Sequence, residues 1–222
     1  GGANITGDLN MTSTQGTVAF GQATVTGNLT ATTNGRQVDL GSANVGGDLH
    51  VQTNGGNVVQ STTANAALHV TGTSNIDAGT GNVTLPNVPN QFGGVVSLQA
   101  NNVELVASSN LLLGASTIAG NVEVTSVTGN ITQSAPISVT GTSSFTAHDD
   151  VVLDQANTFT QVVAVDAVNV TLNAASALTL DTSTVTGDLT LTTAVGDITQ
   201  TGPIAVTGKS TLITTAGNVM LT

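Results

Sequence analysis

The chain has 222 residues, two cationic side chains (Arg36 and Lys209), 13 Asp plus Glu, a formal net charge of −11 and no cysteine, tryptophan or tyrosine. Two cations cannot neutralise a phosphate backbone or an anionic bilayer surface, so nucleic-acid and headgroup binding by the usual route are excluded, and the missing Cys excludes a disulfide scaffold or a thiolate metal centre. Charged residues at 7%, against an ordinary value of about 25%, exclude an acidic disordered tail, while abundant Thr, Val and Asn with 26 Gly favour strands and turns over helices.

Taken in chain order, the first segment, Gly1-Gly2-Ala3-Asn4, has neither a basic n-region nor an apolar h-region. It reads as the start of an intracellular chain or of a mature piece cut from something longer. Ile5-Thr6-Gly7-Asp8-Leu9-Asn10-Met11 follows, and recurs with a period of 20 as Val25-Thr26-Gly27-Asn28-Leu29-Thr30-Ala31 and Val45-Gly46-Gly47-Asp48-Leu49-His50-Val51. A degraded copy lies around Ala64 to Val70, and later copies begin at Ile118 and Val185. Each copy alternates apolar and polar residues around a Gly-Asp or Gly-Asn pair, the period-two pattern of a half-buried strand. Thirteen residues after Ile5, Val25, Val45, Ile118 and Val185 come Val18, Val38, Val58, Ile131 and Ile198, so every unit carries a second short strand at a fixed offset.

From about residue 68 a longer unit appears. Residues 116–145 match 183–212 at an offset of 67, with Gly129-Asn130-Ile131-Thr132-Gln133 on Gly196-Asp197-Ile198-Thr199-Gln200, Pro136 on Pro203 and Phe92 on Phe159. That offset divides into three turns of about 22, close to the period of 20. The expected organisation is one segment over 1–222: regular 20-residue coils over 1–65, three-coil units over 68–136 and 137–203, and the start of a third over 204–222.

Short strands punctuated by Gly, Asn, Asp or Ser and repeated at this period describe an all-β, right-handed parallel β-helix (β-solenoid) of about 10–11 coils of 19–23 residues. Val, Ile and Leu on alternate positions fill a narrow interior. One coil cannot bury enough apolar surface to stand alone, so stability comes from stacking. Asp8, Asn28 and Asp48 stack on neighbouring coils as a turn ladder, with Asn28 keeping the two carboxylates apart. Neither end of the chain reads as a capping repeat, which points to an interior segment of a longer fibre or to one that stacks on its neighbours.

Chemistry is sparse. His148, Asp149, Asp150 and Asp154 cluster, but they align with the turns at Thr80-Gly81-Asn82 and Ala216-Gly217-Asn218 and read as a solvated turn. His50 and His69, almost one period apart, form a metal pair only if they fall on adjacent rungs of one face. No Ser-His-Asp arrangement and no Gly-rich phosphate loop with its Lys is present. Phe20, Phe92, Phe145 and Phe159 sit at apolar repeat positions and read as core. Thr-x-Thr pairs such as Thr30-Ala31-Thr32 are interrupted by Asn10, His50 and Glu123 at equivalent positions, too often for a flat ice-binding array. The expectation is therefore no catalytic, cofactor-binding or metal residue, no cofactor and no enzyme.

The repeats Gly-Asp-Ile-Thr-Gln-Thr-Gly-Pro-Ile-Ala-Val-Thr-Gly (196–208), Ser-Thr-Val-Thr-Gly-Asp-Leu-Thr-Leu (183–191) and Gly-Asn-Val-Thr-Leu (81–85) resemble the filamentous-haemagglutinin-like repeat regions of large bacterial surface adhesins and exoproteins. The resemblance covers nearly the whole chain. It implies a right-handed β-helix, export to the cell surface by two-partner secretion or a related route, and a role as stalk or fibre in adhesion or biofilm. The secretion domain of that family, with its Asn-Pro-Asn-Gly type motif, is not found in this sequence. The expected function is a structural segment of an extracellular adhesin or surface filament. Its expected partners are adjacent repeats of the same or identical chains, met through the open ends, with no nucleic acid and no membrane insertion; host-cell or biofilm-matrix contact is expected elsewhere in the full protein. Alternatives are a self-assembling filament subunit stacking end to end and a polysaccharide-active β-helix enzyme.

Overall fold

The structure is a computed structural model that describes residues 2–60 and 66–222. Alternation of apolar and polar residues produces strands that each bury one row of side chains, and the chain winds them into a parallel β-solenoid of about 11 turns. The first turn holds β1 (Ala3–Ile5), β2 (Leu9–Ser13) and β3 (Val18–Ala19); the second β4 (Ala23–Val25), β5 (Leu29–Thr33) and β6 (Val38–Asp39). The third holds β7 (Asn44–Val45), β8 (Leu49–Gln52) and β9 (Val58–Val59); the fourth β10 (His69–Val70), β11 (Ser74–Asp77) and β12 (Val83–Leu85). The fifth holds β13 (Gln91–Phe92), β14 (Val95–Ala100) and β15 (Val103–Ala107); the sixth β16 (Leu111–Leu113), β17 (Ser116–Ile118) and β18 (Val122–Ser126). The seventh holds β19 (Ile131–Gln133), β20 (Ile137–Val139) and β21 (Ser143–Ala147); the eighth only β22 (Val151–Phe159) and β23 (Val163–Ala167). The ninth holds β24 (Val170–Ala174), β25 (Leu178–Leu180) and β26 (Ser183–Val185); the tenth β27 (Leu189–Thr193), β28 (Ile198–Gln200) and β29 (Ile204–Val206). The last holds β30 (Ser210–Thr214) and β31 (Val219–Met220).

A short sheet stacks β1, β4, β7, β10 and β13, and two thirteen-stranded sheets run the length of the solenoid: sheet I from β2 to β30 and sheet II from β3 to β31. The sequence period is visible as register. Ile5, Val25 and Val45 pair in one column, Leu9, Leu29 and Leu49 in the next, and Val18, Val38 and Val58 in the third. Of the degraded copy, Ala64 and Asn65 lie outside the described residues; His69-Val70 continues the short sheet on Asn44-Val45. Among the described residues there is no helix, and so none long and apolar enough to cross a membrane.

The longer offset behaves differently from the three turns expected of it. Val103, Val122, Ser143 and Val163 are successive partners in sheet II, three full turns. Val170, the counterpart of Val103 in the next unit, has by then crossed to sheet I, where it pairs with Val151. Leu111 and Ile131 pair in sheet I, whereas their counterparts Leu178 and Ile198 pair in sheet II. One unit is thus three and a half turns, each shorter than the three expected. The half turn arises because the third side is not continuous. β14 faces both β16 and β17 on the following turn, β19 and β20 merge onto the single strand β22, and β23 splits again onto β25 and β26.

The interior is aliphatic, with Leu29, Leu49, Ile76, Leu105, Ile131, Leu153 and Leu172 fully buried. All four Phe lie in the core, and Phe145 meets Phe159 edge to face with ring centroids 6.2 Å apart, a favourable aromatic geometry. Phe92 and Phe159 mark the places where the third side closes.

Candidate functional surface

The most regular surface chemistry is a set of Asn/Asp ladders. Asp8 Oδ1 accepts the backbone N–H of Asn28 at 2.7 Å, Asn28 Oδ1 that of Asp48 at 2.8 Å, and Asp48 Oδ1 that of Thr73 at 2.7 Å together with the Thr73 hydroxyl. A second ladder runs through Asn57, Asn82, Asn102 and Asn121 to the N–H of Thr142. A third runs through Asn110, Asn130, Asp150, Asn169 and Asp188 to the N–H of Lys209. No two aspartates occupy consecutive rungs of these ladders, so like charges sit two rungs, or about 10 Å, apart. Each side chain thereby satisfies a turn N–H that the strands leave unpaired.

Gly7, before Asp8, has a φ of 106° and open space around it, whereas the glycines before the later ladder residues answer to space rather than to dihedral freedom. A Cβ on Gly27 would lie 2.3 Å from Asp8 Oδ1 and 2.9 Å from the Gly7 carbonyl oxygen, and one on Gly187 would lie 2.3 Å from Asn169 Oδ1. Asp149 and Val168 hold the same position before Asp150 and Asn169, so the ladder takes a side chain where the turn is spaced for it.

The acidic cluster divides among separate partners. His148 Nδ1 lies 2.8 Å from Asp149 Oδ1, with the two side chains 66% and 49% exposed. Asp150 Oδ1 accepts from the backbone N–H and the side-chain amide of Asn169, and Asp154 Oδ1 accepts from Gln155 Nε2. His50 lies on β8 between Thr30 and Asn75, whereas His69 lies on β10 between Asn44 and Gln91, so the two histidines occupy different sheets and do not stack. Among the described residues, no three His, Cys, Asp or Glu side chains form a group that could hold a metal ion. The outward column of sheet I reads Asn10, Thr30, His50, Asn75, a mixed row rather than a threonine array. In sheet II, Glu104 and Glu123 are direct neighbours across β15 and β18, and line an open groove with Asn82, Asn102 and Asn121.

Two amide pairs, each built on a buried asparagine, are the feature that the sequence pattern does not announce. Asn157, fully buried, donates through Nδ2 to Gln133 Oε1 (2.8 Å) and to the carbonyls of Leu153 and Asn173 (both 3.1 Å). Its Oδ1 accepts from Gln133 Nε2 and from the Ile137 N–H, both at 2.9 Å. Asn90 does the same with Gln60, donating at 2.9 Å and accepting at 2.7 Å, and its Oδ1 also takes the Leu68 N–H. Every polar atom of these two asparagine side chains is paired inside an apolar rod, where leaving one unpaired is costly. The available signal was Asn two residues before a core Phe, at Asn90-Gln91-Phe92 and Asn157-Thr158-Phe159.

A family model described as repeats of unknown function (DUF5649) matches three successive stretches, residues 32–99, 100–166 and 167–222. The second and third matches begin at 100 and 167, the same offset that carries β15 onto β24. No curated protein and no solved structure matches the chain.

Proposed function

The chain belongs to the DUF5649 family of repeats, and from that premise we propose that it is a non-catalytic structural segment, a stiff spacer in the stalk or fibre of an extracellular bacterial adhesin or surface filament. The observation that carries the proposal is continuity: both long sheets pass through every turn, from β2 to β30 and from β3 to β31. At about 4.8 Å per turn, eleven turns make a rod roughly 50 Å long. Its outer ladders tie each turn to the next, so length scales with repeat number. The resemblance to filamentous-haemagglutinin-like repeats supports placing the rod at the cell surface, with adjacent repeats as its partners. No catalytic step is assigned to the His148 turn, whose carboxylates serve separate structural partners.

Two measurements test this. Small-angle scattering of the chain is expected to show a monodisperse rod about 50 Å long; a compact sphere removes the spacer role. Antibodies raised against the rod are expected to label intact source cells, and labelling only after lysis removes the surface role.

A further inference from the structure

The same repeat positions differ in burial according to whether a turn lies over them. Ile137, Val139 and Phe145, on β20 and β21, are 3%, 0% and 0% exposed beneath β22 and β23. Their counterparts in the next unit, Ile204, Val206 and Leu212, are only partly buried, on β29 and β30. What covers the first set is the segment Ala156–Ala167: Thr158 and Phe159 pair with Ser138 and Val139, and Val163 to Asp166 pair with Ser143 to Thr146. The polar half of the seat recurs as well. Gln133 Nε2 donates to the Ala135 carbonyl and to Asn157 Oδ1. Gln200 Nε2 keeps the first of these contacts, on the Gly202 carbonyl at 3.2 Å, and fills the second with the Thr222 carbonyl, also at 3.2 Å.

We infer that β29, β30 and Gln200 form a specific docking edge for the Asn-x-Phe strand of a further copy of this repeat, with the Gln–Asn amide pair as the element that selects it. This rests on the rod reading proposed above and names what extends the rod. The apolar row of Ile204, Val206 and Leu212 supplies area, and the edge backbone supplies ladder hydrogen bonds to any extended segment. The amide makes the choice. A segment without Asn at the right place leaves Gln200 Oε1 and one Nε2 hydrogen without the partners that Asn157 gives Gln133, while a hydrophobic strand of other sequence gains nothing from them.

The test is titration of the full chain into a labelled peptide copying residues 156–167, followed by fluorescence anisotropy. Saturable binding is expected. It should fall at least about tenfold for the peptide with Asn157→Leu, and equally for the native peptide with the chain carrying Gln200→Leu, with no further loss when the two changes are combined. Equal affinity of the two peptides, or strictly additive losses, overturns the inference. If the free peptide does not saturate, the same segment joined after Thr222 decides the matter. Melting temperature should rise by several degrees, and amide exchange at Val206 and Leu212 should slow, for the native extension only. Identical behaviour of the native and Asn157→Leu extensions overturns the docking edge. The rod is judged separately by scattering, so an elongated particle with no preference between extensions discards the docking edge and keeps the spacer role, while a compact particle discards both.

Discussion

The first three turns and the part of the rod from β14 onward are built from similar strands but repeat by different rules. In the first, one sequence period makes a whole turn, and Leu9, Leu29 and Leu49 return to one column. In the second, one unit makes three and a half turns, and Ile131 and Ile198 end in opposite sheets. A whole-turn repeat places equivalent surface residues on one side of a solenoid. A half-turn repeat deals them alternately to two sides, so a rod of many such units presents the same chemistry on both. The cause is the third column of strands: it is the separate short sheet from β1 to β13, joins sheet I at β17 and β20, is absent from the turn of β22 and β23, and joins sheet II at β26 and β29, so equivalent strands shift by half a turn.

Deletions break this comparison most sharply. Excising residues 25–44 removes one whole turn, and the shortened rod is expected to fold with later strands on their original sides. Excising residues 103–169 brings Val170 into the place of Val103, and every later strand is expected to swap sheets. With no native cysteine, spin labels at Thr30 and Thr190, both on sheet I in the intact rod, read the difference. Labels that remain on one side after the longer deletion contradict the half-turn rule.

The next effect is at the amide pair. Asn157→Leu leaves the Ile137 N–H and Gln133 Oε1 without partners, with Gln133 Nε2 keeping only the Ala135 carbonyl, and is expected to cost about 3 kcal/mol in urea unfolding. Gln133→Leu added to it should recover part of that loss, because fewer orphaned polar atoms remain.

Smaller again is the glycine contact. Gly187→Ala is expected to cost about 1–2 kcal/mol, and Asn169→Ala in the same chain should recover some of it by removing the oxygen 2.3 Å from the new Cβ. At Gly27, Asp8→Ala should recover less, since the Gly7 backbone carbon and oxygen remain 2.7 and 2.9 Å away, against the single Val168 carbonyl oxygen at 3.0 Å left at Gly187. Equal recovery at the two sites contradicts this account.

The smallest change is a gain. Glu104 and Glu123 are stacked like charges, and Glu123→Gln is expected to add about 0.2–1 kcal/mol, read as a modest rise in melting temperature that shrinks in high salt.

The solenoid was legible from sequence because alternation and period are one-dimensional signals: Val18, Val38 and Val58 are evenly spaced in the chain and adjacent in the rod. The ladder of Asp8, Asn28 and Asp48 was legible for the same reason. The amide pairs were not, since Gln60, Asn90, Gln133 and Asn157 look like ordinary turn and surface residues until the fold carries them inside. The glycines were read as turn punctuation, whereas at Gly27 and Gly187 the decisive fact is an atom on the preceding turn.

Composition and periodicity alone therefore determined a cysteine-free, all-β rod, because each strand's buried face is written in its own alternate residues. Which side of the rod each repeat faces, and which polar groups lock one turn to the next, were decided only in three dimensions. Both depend on which long sheet the third strand of a turn joins and on which residues of neighbouring turns meet in the shared core, and neither is written in one strand's own alternation.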